Sequence, residues 1–409
     1  MVISTQKKQV VILYSSTLIG VLLGVLASII NTRFLSTVDY GNVRYVQNVI
    51  NFIASLLLFG YFLSGSRLLA LSKDESYSRR IRGSLIVILA IASFLLVIGL
   101  IVCYFINLQS KPVISTLFLV SLPVCFYPLF NNYISTVLQG DNHITKIAIS
   151  RFLPMLIYIP LGYYIYNSMG ATSSLMILLQ WGCYSLVFLL IILSTHPDYT
   201  NLRPIFVELN RENKEYGFQL YIGSLVMVAT NYLAGITLGL FNQDNSEVGF
   251  YTLAMTVTSP LAMLPAIIGT TYFKQFASLN KIPNKVMVFT SALTLISCVL
   301  FIVLIKPIVI LFYTDKYAVV GDYAIWLAIG YSIHGFGDMI NRYLGSHGQG
   351  ASIRNSSIAN GLFKVFGFTV LVYFFNTPGA LITNILCSLI YFSLLLFYYI
   401  KFVKANNES

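Results

Sequence analysis

Three sets of polar residues interrupt the long apolar runs of this chain, each at helical spacing. His334, Asp338 and Arg342 stand at i, i+4 and i+8. Asp338 and Arg342 suit a helical ion pair, with the acid N-terminal to the base. His334 with Asp338 suits proton coupling, because histidine titrates near neutrality. Ser357, Asn360 and Lys364 stand at i, i+3 and i+7. Rise alone puts Lys364 about 13 Å into its helix, too deep to reach an interface easily. Arg44, Asn48, Asn51 and Ser55 share one narrow helical face. Such groups line a wet cavity, or else they form hydrogen-bonded seams between helices and ion pairs that neutralise each other. In the second case Lys364 pairs with Asp338, and Arg342 simply neutralises that carboxylate.

No nucleophile is positioned by sequence and there is no phosphate-binding P-loop, so the chain hydrolyses no nucleotide by itself. Cys103, Cys125, Cys183, Cys298 and Cys387 each sit inside an apolar run without metal-ligand spacing. They read as small hydrophobes, and neither a metal nor a cofactor is expected.

The elements that must position these residues are membrane-spanning. The chain has 409 residues, 57% hydrophobic and 10% charged. That is too little charge to cover a soluble surface, and a bilayer removes the need. The net charge of +11 lies in short loops between apolar runs, which argues against nucleic acid as a partner. Hydropathy predicts an all-α integral membrane protein of about twelve transmembrane helices. The spans are roughly 9–32, 40–64, 82–106, 113–138, 147–166, 171–194, 217–241, 246–272, 286–310, 322–345, 355–376 and 378–400. The first is read as a retained helix rather than a cleaved signal.

Both termini and the even-numbered loops take every Lys and Arg except Arg33, Arg44, Lys111, Lys306, Lys316 and the intramembrane Lys364. The positive-inside rule then places both termini in the cytoplasm. Missing one span would switch every later loop and erase this bias. The stretch 197–216 holds prolines and mixed charges and reads as a cytoplasmic linker between an N-terminal lobe, 1–196, and a C-terminal lobe, 217–409.

The two lobes echo each other. Asp39-Tyr40-Gly41 and Glu247-Val248-Gly249 are 208 residues apart. The run from Tyr166 to Ala171 returns at Phe375 to Ala380, 209 later, and Leu138-Gln139-Gly140 matches Gly348-Gln349-Gly350 at 210. Each lobe holds an even number of spans, so this is a parallel repeat about an axis along the membrane normal. Two facing bundles leave a central cavity that opens to either side.

Asp39-Tyr40-Gly41, the run Val248 to Ala254, and the stretch His347 to Ala380 with its polar Gly-rich loop and Asn-x-Pro-Gly-Ala turn carry a resemblance. The chain resembles the polysaccharide flippases of the multidrug/oligosaccharidyl-lipid/polysaccharide exporter superfamily, particularly bacterial O-antigen flippases. The resemblance implies a V-shaped fold of two six-helix lobes in the bacterial inner membrane. It implies moving an undecaprenyl-pyrophosphate-linked oligosaccharide from the cytoplasmic to the periplasmic leaflet, beside polysaccharide polymerase and chain-length proteins. Lipid II flippases of this superfamily often carry two further C-terminal helices and cations within the first helix. Here Gln9 to Thr32 is uncharged, which weighs against lipid II.

Such a flippase needs cations for phosphates and hydrogen-bonding groups for hydroxyls. Arg44, Asn48, Asn51, Asn231, Asn360 and Lys364 are the candidates for the cavity. Arg67, Arg151 and Lys274, near the cytoplasmic span ends, are candidates for the inward mouth, or else positive-inside anchors. His334, Asp338 and Arg342 are the candidates for ion coupling. The many tyrosines mostly suit an interfacial belt. A multidrug exporter would favour acidic cavity residues, and Asp338 is the one acid clearly inside a span. A polysaccharide polymerase or ligase generally needs a sizeable outward loop, and the outward segments here are short.

Overall fold

The computed structural model describes residues 5–408, and among them there is no strand. The N-terminal part runs through α1 (Thr5–Phe34), α2 (Thr37–Leu56), α3 (Tyr61–Leu71), α4 (Glu75–Asn107), α5 (Pro112–Ser121), α6 (Tyr127–Gly140), α7 (Ile144–Met169), α8 (Ser173–Leu193) and α9 (Leu202–Glu212). The rest comprises α10 (Phe218–Phe241), α11 (Ser246–Thr258), α12 (Pro260–Thr271), α13 (Phe273–Phe276), α14 (Asn284–Tyr313), α15 (Val319–Ser346), α16 (Gly350–Phe366) and α17 (Val372–Glu408).

Eight stretches are long and apolar enough to cross a membrane, and the bent pairs α2–α3 and α5–α6 raise this to ten. Two more spans follow from local geometry. The 28-residue α15 is long enough to cross but carries five glycines and several polar residues. The 57-residue run Gly350–Asn406 is two spans, because Asn376 (φ 51°, ψ −133°) breaks it just ahead of Pro378. Pro378 has no backbone N–H to continue the helical ladder, and asparagine tolerates a positive φ at the break two residues earlier. The described residues thus hold the twelve expected spans.

The breaks have visible causes. The 60° bend between α2 and α3 sits at Phe59 (φ 45°) and Gly60 (φ 83°). Gly60 must be glycine for a second reason, since a Cβ there would lie 2.5 Å from the Gly217 backbone. The 42° bend between α5 and α6 falls between Pro123 and Pro128. Each proline removes a backbone donor from the helical ladder.

By packing, the chain forms two compact units, Met1–Tyr232 and Leu233–Ser409. In the first, α1 lies along α7, α3 against α6, and α7 against α8. Ala27, Met155, Tyr158 and Cys183 form one knot of its core. In the second, α15 is central and packs against α11, α12, α14 and α17. One buried cluster is built around Phe276, Ile340, Tyr343 and Leu395. Leu295, Ile296, Val303 and Leu311 on α14 are exposed, an apolar exterior that only lipid solvates well. Lipid tails are as apolar as leucine, so van der Waals packing and hydrogen bonds must hold these helices together.

Two acid–hydroxyl clamps explain the repeated acidic-x-Gly motif. Ser173 Oγ, at the start of α8, donates to Asp39 Oδ1 on α2 at 2.7 Å. In the second unit Tyr323 donates to Glu247 Oε2 at 2.8 Å, and Thr377 Oγ1 donates to the same oxygen. The motif thus staples the second span of each unit to the start of its last span.

The linker is ordered. α9 buries Ile205 and Leu209, and its polar side is pinned to the first unit. Tyr77 donates to Glu208 at 2.5 Å and Tyr61 to Asn210 at 2.8 Å. Ser64 donates to Asn213 Oδ1 at 3.1 Å, and Arg67 pairs with Glu212. At the same end, Arg82 is buried and holds Asp141 through two bonds of 2.7 and 3.1 Å. It also donates to Glu75 at 2.9 Å and to the Thr195 carbonyl at 2.8 Å.

Candidate functional site

In the first unit the candidate stripe on α2 is only partly a stripe. Arg44 is half-buried, donates to Gln47 Oε1 at 2.8 Å, and stacks over the Tyr40 ring at 4.8 Å. Gln47 passes the bond on to Gln180 Oε1 on α8 at 3.3 Å. Asn51 and Ser55 turn back to the carbonyls of Gln47 and Phe52, whereas Asn48 stays half-buried on the same helix. Arg44 Nε is enclosed and has no hydrogen-bond partner. The phenols of Tyr127, Tyr158, Tyr166 and Tyr184 lie within electrostatic reach of the guanidinium. The result is one fixed cation among aromatic and amide groups, a set that suits an anionic or hydroxyl-rich ligand.

In the second unit the structure brings His334, Asp338 and Lys364 into mutual electrostatic reach on α15 and α16. All three are half-buried. Asp338 accepts a hydrogen bond from Tyr391 at 3.0 Å, and Asn341 donates to the same phenol at 2.7 Å. His334 stacks on the Tyr391 ring with centroids 4.6 Å apart. Tyr391 therefore locks the carboxylate and the imidazole from α17. Among the described residues no ion pair joins Asp338 to Arg342; the Arg342 side chain is exposed. The helical pair expected from i, i+4 spacing gives way to the Tyr391 bond. Asn360, one turn before Lys364, is fully buried, and both side-chain polar atoms lack a hydrogen-bond partner.

The inward-mouth candidates divide. Arg67 is committed to Glu212 and to the Tyr216 ring at 4.8 Å, so it holds the linker. Arg151 donates to Thr17 and, at 3.2 Å, to the Leu13 carbonyl, which ties α7 to α1. Lys274 on α13 is exposed. Asn231 is exposed on α10 and belongs to the first unit.

The profile of a family described as "Polysaccharide biosynthesis protein" matches residues 7–279, two thirds of the chain. The chain belongs to that family. No curated protein matches it in sequence. Among solved structures, this family member is similar to one titled "Lipid II flippase MurJ, inward closed conformation". The TM-score is 0.75 at 17% identity, over 95% of this chain and 87% of that one. It is also similar to an inward-facing multidrug resistance MATE family transporter of the MOP superfamily, at TM-score 0.72 and 15% identity, over 96% and 99% of the two chains. A Pyrococcus furiosus MOP superfamily transporter, titled for the reversed polarity of its binding pocket, matches at TM-score 0.61 and 15% identity, over 97% and 96%. At these identities the likeness establishes the fold, that of a multi-pass membrane protein of the MOP type.

Sequence reasoning missed the Arg82–Asp141–Glu75 cluster, because its members lie up to 66 residues apart in no periodic relation. Tyr391 was missed as well, being one tyrosine of 28. The signals that could have found them were an arginine at the start of a span and an acid directly after a helix-ending glycine.

Proposed function

We propose that this protein is a flippase for a lipid-linked oligosaccharide. It moves an undecaprenyl-pyrophosphate-linked O-antigen repeat unit from the cytoplasmic to the periplasmic leaflet of a bacterial inner membrane by alternating access. The observation that carries the reading is a half-buried cation on a helix of each unit of a polysaccharide-biosynthesis family member, Arg44 two turns into α2 in the first and Lys364 in mid-span in the second. Charges at that depth are costly unless they serve a wet path or a ligand. Membership in the family supports a polysaccharide substrate, and the likeness to a lipid II flippase supports a lipid-linked one. Arg44 and Lys364 take the phosphate or acidic groups, while Gln47, Asn48, Gln180 and Asn360 serve sugar hydroxyls. His334 and Asp338, oriented by Tyr391, couple transport to an ion gradient or to membrane potential. No enzymatic step is assigned. Polysaccharide polymerase and chain-length proteins are the partners this reading implies.

A second reading is a multidrug exporter, favoured by the likeness to a MATE transporter and by Asp338, a half-buried acid inside a span. Complementation separates them. The gene is deleted, and surface polysaccharide is measured with wild type, Arg44→Ala and Lys364→Ala at matched expression. Flipping predicts lost polymer and lipid-linked units accumulating on the cytoplasmic face in the deletion and in both variants. Units accumulating on the periplasmic face point to a polymerase or ligase instead. Unchanged polymer with altered drug sensitivity supports the exporter.

A further inference from the structure

The break between α2 and α3 borders a small, partly open cavity of about 100 Å³, mostly apolar in lining, set within the first unit among α2, α3, α6 and α10. Its polar lining is Ser55, Asn132, Thr136, Tyr221 and Ser224, with no Lys, Arg, Asp or Glu. Three of these hydroxyls spend their protons on backbone carbonyls. Ser55 donates to Phe52 O at 2.7 Å, Ser224 to Tyr221 O at 3.0 Å, and Tyr221 to Leu56 O at 2.8 Å. Only their lone pairs remain for an occupant. Asn132 and Thr136 stand at i, i+4 on α6 and make no side-chain hydrogen bond among the described residues. Their neighbour Ser135 folds back on Asn131 O at 2.7 Å, as helical hydroxyls usually do in this chain.

The backbone adds acceptors. α2 ends here, so its last carbonyls have lost their helical donors. Among the described residues no hydrogen bond reaches the carbonyls of Ser55 or Leu57. The opposing pole, the start of α3, is largely used up. The amide of Tyr61 donates to Leu58 O, and those of Leu63 and Ser64 donate to Gly60 O. An anion would find few donors and no positive side chain. A hard cation would find hydroxyl, amide and carbonyl oxygens, the half-helix arrangement suited to coupling ions in membrane proteins. With no carboxylate present, the charge that fits is single.

We propose that this cavity binds a monovalent cation, Na+ or K+, and thereby fixes the α2–α3 bend against α6 and α10. The inference is independent of which substrate is moved. The test uses the full chain in lipid nanodiscs, with thermal unfolding followed in NaCl, KCl and choline chloride at equal ionic strength. Wild type should unfold about 2–4 °C higher in the salt of the bound cation than in choline. Na+ against K+ identifies the ion. Thr136→Val, nearly equal in shape, and Ser224→Ala should abolish the difference, and Ser135→Ala should keep it. Binding of radioactive sodium or rubidium, the latter standing in for K+, should saturate near one ion per chain and disappear in Thr136→Val. Identical unfolding of wild type in all three salts would mean the cavity holds water alone and would overturn the proposal. A salt difference undiminished in both Thr136→Val and Ser224→Ala would overturn it too.

Discussion

Asp141→Asn removes the charge that faces the buried guanidinium of Arg82, and the geometry sets the size of the loss. Arg82 has 4% of its side chain exposed and Asp141 has 9%, so water replaces little of what is removed. Breaking such a pair costs about 3–5 kcal/mol, because one charge stays buried and uncompensated. Two remaining contacts moderate this, the Thr195 carbonyl and Glu75. Glu75 is 72% exposed and contributes little, which places the expectation near the lower bound, about 3 kcal/mol. Unfolding entropies of about 2 cal/mol/K per residue over the 232 residues of the first unit convert this to a fall of about 6 °C in melting temperature. The assay is thermal unfolding of purified wild type, Asp141→Asn, Arg82→Met and the double variant. The double variant should lose much less than the two single losses added together, since with both charges removed neither is left stranded. Strict additivity, or a single-variant shift under about 1 °C, would refute the reasoning.

Four other outcomes follow from the same geometry. Gly217→Ala should lower the melting temperature by several degrees, because its Cβ would lie 2.0 Å from Ser64 Oγ and 2.5 Å from Gly60 O; Gly170→Ala, with open space around it but a positive φ, should cost less. Tyr391→Phe keeps the ring that stacks on His334 but removes the bond to Asp338, so it should shift the pH dependence of surface-polysaccharide production in the complementation assay more than the amount of folded protein. Glu247→Gln keeps an acceptor for Tyr323 and Thr377 and should fold, whereas Glu247→Leu should reduce stability by about 1–3 kcal/mol, read as accumulation and melting temperature. Burial lowers the His143 imidazole below its ordinary value despite the opposing carboxylate of Asp141, so the folded state binds fewer protons there than the unfolded chain. Stability should therefore fall as pH drops below about 6.5, and His143→Gln should flatten that slope, measured by melting temperature against pH.

Most of the architecture could be read from hydropathy and charge, because a bilayer allows few backbone solutions. Lys364 and Asp338 stood out for the same reason, as charges where charge is costly. The partners did not. Tyr391 reaches Asp338 from a different helix, 53 residues away, and no periodicity records that contact. Arg342 was misjudged as Asp338's partner because i, i+4 spacing fixes proximity of backbones, not the rotamer a side chain prefers. The acidic-x-Gly motif was visible as a repeat, but its meaning as a staple needed Ser173 and Thr377 in place. Arg67 read as a mouth cation until Glu212 and Tyr216 claimed it.

The pinned α9 strap separates the repeat of this chain from its mechanics. The echoes between the two halves of the sequence leave out α9, yet α9 and the first half of α10 are packed into the N-terminal unit. A gene split for expression as two polypeptides should therefore be cut at 242–245, after α10, rather than in the polar connector where the eye first falls. The first fragment would then keep every residue that Gly60 and Gly217 bring together.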